Sequence, residues 1–425
     1  MLRGASLTPG LLSSVEQVMG GVGGPYPKMV LFGDSFSARN TTVGSPCRDL
    51  DWGYFTWAQA LMGAPFRLIY NAGVAGNTTT QMLARISSDV LSKSPDWVIV
   101  QGGINDITAA VSDATICSNL KTICSTLVNS GINVILLTIA PNNQSAGNSL
   151  HVQTVNQTMR EWCRNTARGV IFVDTYQYLV DPTVTTGAFA SGMSDDSLHL
   201  SGKGARAAGQ AIANSIQYMF PNKSYLPSSN GEDYGVSSSS LQIVSNPMMT
   251  GTGPLATGTG ASGNVPTSWA GSTSGFGAGT AVFTPAVARS DGIGNDTSIV
   301  VASAPSGASV NIRQTGLVGR AAIGDYLYVV GQVKITGATD IKNVNIGGSA
   351  TIDGTTYQVN CLEASGTTNY SQSDMTLTFR SEELPLTGSS ITAITLTASV
   401  TFGTTGTGAA TIKFGRIGMY KQSTL

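Results

Sequence analysis

From Lys28 to Met219 the apolar positions fall into two alternating patterns. Short unbroken runs such as Met29–Phe32, Val98–Val100 and Val134–Leu137 are separated by stretches that repeat every three to four residues. This predicts strands over 28–32, 67–71, 97–101, 133–139 and 170–174, and helices over 54–62, 79–92, 113–129, 155–168 and 204–219. Runs without polar alternation suit strands buried on both faces, so the order implies βαβ units and a parallel sheet. Farther along, the period drops to two. Ile394, Leu396, Ala398, Val400 and Phe402 alternate with Thr395, Thr397, Ser399 and Thr401, and Met375, Leu377 and Phe379 follow suit. Short strands with Gly-rich turns predict an all-β sandwich. The polar stretch between the two patterns, with Ser237–Ser240, reads as a linker. The expected organisation is an N-terminal arm (1–24), an α/β domain (25–221), a linker (222–244) and a β-sandwich (245–425).

Composition narrows the picture. Charged residues make up 11% of the 425 and glycines number 51, far from the ~25% charge of an average domain, which favours a large β-rich portion. A net charge of -1 with scattered Lys and Arg leaves no footprint for nucleic acid or an anionic membrane. No run approaches the roughly 18 apolar residues of a membrane span. The first 24 residues hold no continuous apolar core and no clear cleavage site, so no secretory signal is expected. Cys117 and Cys124 share a predicted helix, about 10 Å apart along its axis, too far for a disulfide, and buried free thiols are expected. With only His151 and His199 available, and no Cys/His spacing suited to zinc, neither metal nor cofactor is expected.

Three predicted strand ends and one loop entering a helix carry chemistry. Gly33-Asp34-Ser35 ends the first strand, where a serine is either thrown into a cleft as a nucleophile or simply part of a turn. Asn71-x-Gly73-x-x-Gly76 ends the second, and the Gly76 N–H can face a developing oxyanion. Gly103-x-Asn105-Asp106 follows the third, with the Asn105 amide as a further donor. Asp196 precedes His199 by three residues. Either it reaches the imidazole Nδ1 and fixes the Nε2 tautomer toward a nucleophile, or it and Ser201 cap the helix that follows. Asp34 reads as an organiser of its turn, and Asp106 as a cap for the segment after Asn105. Trp57 reads as core. His151, without an acidic sequence neighbour, reads as a surface or helix-start residue. Trp52 and Arg39 are the candidate substrate contacts. Gly258-x-Gly260-x-x-Gly263 matches a dinucleotide fingerprint, but no strand precedes it and no helix follows, so it is rejected. No G-x-S-x-G motif occurs, which argues against nucleophile-elbow hydrolases.

Taken together, these blocks resemble the SGNH-hydrolase (GDSL-like) family over roughly residues 28–219, with Phe36 where leucine is common. The resemblance implies a three-layer α/β/α, flavodoxin-like fold and ester hydrolysis. It implies Ser35, Asp196 and His199 as the triad, and Ser35, Gly76 and Asn105 as the oxyanion hole. The β-sandwich resembles jelly-roll carbohydrate-binding modules and phage tail modules. The combined expectation is a serine esterase removing acyl groups, O-acetyl foremost, from a carbohydrate. A lipid or thioester hydrolase and a tail protein with a vestigial hydrolase domain are the alternatives. An extracellular or virion-associated location is expected, as is a homo-oligomer, trimeric if the chain is a tail component.

Overall fold

The computed structural model describes residues 26–42, 48–143, 146–220, 226–234, 236, 241–363, 374–403 and 406–423. The expected arm, Cys47 and Ser237–Ser240 lie outside the described residues. In order, the first half runs β1 (Lys28–Gly33), α1 (Ser35–Ala38), β2 (Arg48–Leu50), α2 (Tyr54–Met62), β3 (Arg67–Gly73), α3 (Thr79–Asp89), β4 (Trp97–Gln101), α4 (Ile104–Thr108), α5 (Asp113–Asn129), β5 (Asn133–Leu137), α6 (Ala146–Asn165), β6 (Val170–Val173), α7 (Tyr176–Leu179) and α8 (Gly202–Ile216). Most boundaries agree with the periodicity. Helix α6 begins nine residues before the expected Val155. Its buried stripe of Ser149, Val152, Val155, Asn156 and Met159 includes two polar residues that hide the pattern. Asn156 is accommodated because its side chain accepts from the Ile139 N–H at 2.8 Å and donates to the Ile139 carbonyl at 2.9 Å.

By packing, the chain divides into two compact units. The first holds Met1–Ala38, Pro65–Ala188 and Asn214–Asn222, and the second holds Arg39–Ala64, Phe189–Ala213 and Lys223–Leu425. In the first unit five strands form a wholly parallel sheet of order β3-β1-β4-β5-β6, flanked by helices. Strands β1 and β4 are buried almost throughout, as unbroken apolar runs require. The chain leaves β1 for β3 on one side and returns to β4 on the other. Strand order therefore reverses at β1, and a crevice forms outside the carboxyl ends of strands at such a reversal. The loops after β1, β3 and β4 all emerge at that end.

The second unit contains two β-sheets, built from β2 and from β7 (Ala261–Gly263), β8 (Ala270–Ser274), β9 (Thr280–Ala288), β10 (Asn295–Ala304), β11 (Ser309–Gln314), β12 (Tyr326–Thr339), β13 (Ile341–Ile352), β14 (Thr355–Glu363), β15 (Met375–Arg380), β16 (Leu384–Pro385), β17 (Ile391–Phe402) and β18 (Gly408–Gln422). One sheet has the order β15-β12-β18-β10-β9-β7, with β16 on β12, and the other β2-β14-β13-β17-β11-β8. The period-two residues point inward: Ile394, Leu396, Ala398, Val400 and Phe402 are fully buried. Close approach of the sheets explains Gly331 and Gly348, where an added Cβ would press on Ile346 and Met419. The rejected glycine pattern at 258–263 ends in edge strand β7, with no helix.

This division departs from the expected boundaries in three places, one of them Phe189–Ala213, which joins the second unit and not the α/β unit. Residues 39–64 join the second unit because β2 pairs in parallel with β14 (Leu50 opposite Glu363) and α2 packs on β15 and β14. A three-residue strand partnered some 300 positions away leaves no periodic signal. The expected linker is also not free over its described residues. The Ile243 N–H donates to the Met419 carbonyl at 2.8 Å, and Gln242 Oε1 accepts from the Met419 N–H at 2.9 Å. Arg416 Nε donates to the Pro227 carbonyl at 2.8 Å. Polar composition suggested a tether, yet these polar groups are spent on β18. Among the described residues no helix is long and apolar enough to cross a membrane. Cys117, Cys124, Cys163 and Cys361 are free thiols, and burial pushes the Cys163 thiol up to about 12.

Candidate active site

The end of β1 is shaped by close backbone approach. A Cβ at Gly33 would collide with the Gln101 carbonyl of β4. Asp34 follows, fully buried, and its Oδ1 accepts the Phe36 N–H at 3.0 Å. That bond turns the chain out of the strand and makes the half-buried Ser35 the first residue of α1. Gly73 is glycine for the same reason as Gly33, because a Cβ there would strike the backbone of Ala38. Asn71 fastens the two strand ends, donating to the Ser37 carbonyl at 3.0 Å and accepting the Gly73 N–H at 3.0 Å.

Gly76 is glycine for a different reason. It has φ +79° and empty space around a would-be Cβ, so the left-handed backbone, not crowding, sets the requirement. Thr78 and Gln81 close a capping box at the start of α3. Gly103, at φ +118°, opens α4 and presents Asn105, whose Nδ2 donates to the Asn77 carbonyl at 3.0 Å. The Asn105 amide and the Gly76 loop are therefore joined directly. Asp106 does not cap its own segment as expected. Its carboxylate takes the Thr79 N–H at 2.8 Å and the Thr79 hydroxyl at 2.7 Å, anchoring the first turn of α3 to α4.

The fourth block lies in the second unit. Asp196 Oδ1 accepts the N–H groups of Leu198 at 3.1 Å and His199 at 2.6 Å, and Oδ2 meets His199 Nδ1 at 2.7 Å. The turn holds Ser197 at φ +69° and is closed by the Ser194 hydroxyl on the His199 carbonyl at 2.6 Å. Burial pushes the Asp196 carboxyl up. The His199 N–H, the His199 ring and the Leu198 N–H outweigh it and bring the group down to about 2. Asp196 is thus an anion across the neutral range. Ser201 performs the capping role alone, accepting the Gly204 N–H at 3.1 Å. Arg39 Nη2 also reaches Asp196 Oδ2, at 3.3 Å, and Trp52 Nε1 donates to Asp195 Oδ2 at 3.1 Å. Trp57 is fully buried, as expected of a core residue. His151 has an acidic partner after all, Asp113 at 2.9 Å, brought near by packing of α6 on α5.

The family model described as GDSL-like lipase/acylhydrolase matches residues 31–207. The chain contains a GDSL-like lipase/acylhydrolase domain. An acetylxylan esterase of Geobacillus stearothermophilus is 34% identical over 92 residues, covering 20% of this chain and 42% of that relative, so less than half of the relative's length is spanned. Among solved structures, the lipase/acylhydrolase from Enterococcus faecalis is 24% identical with a TM-score of 0.38, covering 46% of this chain and 98% of its own. A catalytic mutant of an acetylxylan esterase from G. stearothermophilus is 18% identical with a TM-score of 0.37, covering 46% and 95%.

One residue central to this acylhydrolase domain escaped sequence reasoning. Arg85 of α3 donates from Nη2 to the Gly33 carbonyl at 2.7 Å, from Nη1 to the Ala72 carbonyl at 2.7 Å and from Nε to Asn77 Oδ1 at 2.8 Å. It also pairs with Asp89 at 2.8 Å and lies 4.7 Å over the Phe32 ring. One guanidinium thus ties the Ser35 strand end to the Gly76 loop. The i,i+4 spacing to Asp89 was the visible signal, but it reads as an ordinary helix-surface pair.

Asp34 carries a pH dependence. Burial, with a smaller push from Asp106, raises its carboxyl to about 7 against the opposing Phe36 N–H, and Oδ2 has no hydrogen-bond partner. Between pH 4 and 7 the folded protein keeps a proton that the unfolded chain has released. Stability from this group is therefore full below pH 4 and lost as pH rises to 7. At about 1.4 kcal/mol per pH unit, the swing is on the order of 4 kcal/mol at most. Asp34→Asn keeps the acceptor for Phe36 and is expected to flatten this slope. Urea midpoints at pH 5 and pH 8 measure it, and equal slopes in the two proteins would refute the assignment.

Proposed function

We propose that this chain is a serine esterase that removes acyl groups, most readily O-acetyl, from a carbohydrate. The observation that carries the reading is the Asp196–His199 pair. One carboxylate oxygen is saturated by two backbone N–H groups and the other is aimed at Nδ1, which leaves Nε2 as the working nitrogen. In this reading Ser35 Oγ forms a bond to the ester carbonyl carbon as His199 takes its proton. The tetrahedral intermediate is held by the N–H groups of Ser35 and Gly76 and the Asn105 amide. His199 then protonates the leaving alcohol, and water releases the acyl group from Ser35 by the same steps.

The carbohydrate side is supported by the named activity of the Geobacillus relative. A second support is a cavity of about 320 Å³ on the outer face of β13, β14 and β17, lined by Asn345, Gln358, Asn360, Glu363 and Thr397 among others. Planar amides and hydroxyls suit polyols better than acyl chains. We read the β unit, taken as jelly-roll-like, as the part that holds the enzyme to its polymer or to a virion. The test is product release from acetylated xylan, other acetylated glycans and long-chain esters, with Ser35→Ala as the blank. Ser35-dependent acetate release from a glycan supports the reading, and a rate that rises with acyl chain length sinks its carbohydrate part.

A further inference from the structure

Arg39 and Trp52 were the sequence's candidates for substrate contact, yet their polar groups are turned onto the acidic loop. Arg39 Nη2 shares Asp196 Oδ2 with the His199 ring, at 3.3 Å against 2.7 Å. The Arg39 guanidinium sits 4.8 Å from the centroid of the Trp52 ring, and the Trp52 indole N–H donates to Asp195 Oδ2 at 3.1 Å. The contacts form a closed circuit, because Asp195 and Asp196 are neighbours in the chain. Its base is fixed in turn. Asn40, fully buried, accepts the Phe55 N–H at 2.8 Å on its side chain and the Leu50 N–H at 2.9 Å on its carbonyl. The Asp51 N–H donates to the Glu363 carbonyl of β14 at 2.9 Å. Arg39 and Trp52 are thus carried on backbone already tied together and to the β unit.

We propose that Arg39 and Trp52 are positioning residues, a stacked brace that fixes the Asp196 carboxylate for His199 and does not itself bind substrate. Without the brace, only the turn's own N–H groups and the imidazole restrain the carboxylate, and Oδ2 is free to swing from Nδ1 toward water. Arg39 and Asp196 are 28% and 42% exposed, so solvent screens their attraction and the pair adds little to stability. What the brace supplies is orientation, and an ångström-scale loss of alignment costs up to roughly 100-fold in rate. Arginine is required because lysine has no flat face to lie on the indole while reaching the carboxylate.

The inference rests on the esterase reading, and the experiment separates the two. Hydrolysis of p-nitrophenyl acetate is measured for the full chain, Ser35→Ala, Arg39→Met, Arg39→Lys, Trp52→Phe and Asp196→Asn, and for Arg39→Met combined with Asp196→Asn. The brace predicts that Arg39→Met lowers kcat roughly 10- to 100-fold while KM stays within about twofold. Arg39→Lys is expected to recover only part of the rate. Adding Arg39→Met to Asp196→Asn is expected to cost nothing further, since residues acting through one group are not additive. A raised KM with unchanged kcat, or a full additional loss in the Asp196→Asn background, would overturn the brace. Trp52→Phe keeps an aromatic face, smaller than the indole, and loses the indole N–H, so an intermediate kcat supports the circuit and a wild-type kcat with raised KM contradicts it. Equal rates for wild type and Ser35→Ala would instead remove the esterase reading itself.

Discussion

Ser35→Ala is expected to lower kcat for a short-chain ester by roughly 10⁴-fold or more, with folding close to that of the parent protein. The substitution removes one hydroxyl from the first residue of a four-residue helix, which costs about 1 kcal/mol of stability. The strand end keeps its shape, because the turn is made by Asp34 on the Phe36 N–H and by the glycine approaches at 33 and 73. The loss is chemical: a base has nothing to deprotonate and no acyl-enzyme forms. His199→Ala is expected to cost a similar factor. On the proposed mechanism the double variant should be no worse than either, since a nucleophile and its base fail as a unit. Steady-state rates on p-nitrophenyl acetate, with circular dichroism to check folding, measure all three. Equal rates for Ser35→Ala and the parent would end the nucleophile assignment.

Arg85→Met should produce the largest loss of stability of any single change at this site, about 3 kcal/mol or more. Bonds to a charged group contribute ~1.5–3 kcal/mol each, and here one guanidinium, 16% exposed, serves two backbone carbonyls, the Asn77 side chain and Asp89. Methionine fills much of the volume but leaves those acceptors unmatched. The Ser35 strand end and the Gly76 loop then lose their common tie, so activity should fall along with stability. An earlier urea transition with an unchanged slope is the expected signature. If the transition stayed within ~0.5 kcal/mol of the parent, the bonds would be idle surface contacts.

Much of the first unit was legible because each cue was local. Unbroken apolar runs can be satisfied only by strands covered on both faces, and Gly33, Gly73 and Gly103 stand where backbone meets backbone or φ turns positive. One reading stayed open on sequence grounds. Asp196 was open to facing the His199 ring or to capping the next helix together with Ser201; it faces the ring, and Ser201 makes the cap. Asp106 was assigned to its own segment and instead reaches 27 positions back to Thr79. Helix α6 was cut short because Ser149 and Asn156 interrupt its apolar stripe.

The sequence by itself determined the five strands of the parallel sheet and the longer helices around it, the β-rich second half, and the four blocks in their order. Periodicity and turn chemistry act over a few residues and need no knowledge of the rest of the chain. Only tertiary structure decided that residues 39–64 pack with the β unit, that residues 241–243 pair with β18, and that Arg85 and Asp106 bind the strand-end loops together. Only tertiary structure, too, turned Arg39 and Trp52 onto Asp196 and Asp195. A long polar side chain carries no periodic mark of its partner, because that choice rests on which backbone carbonyls and carboxylates folding brings within 3 Å or so.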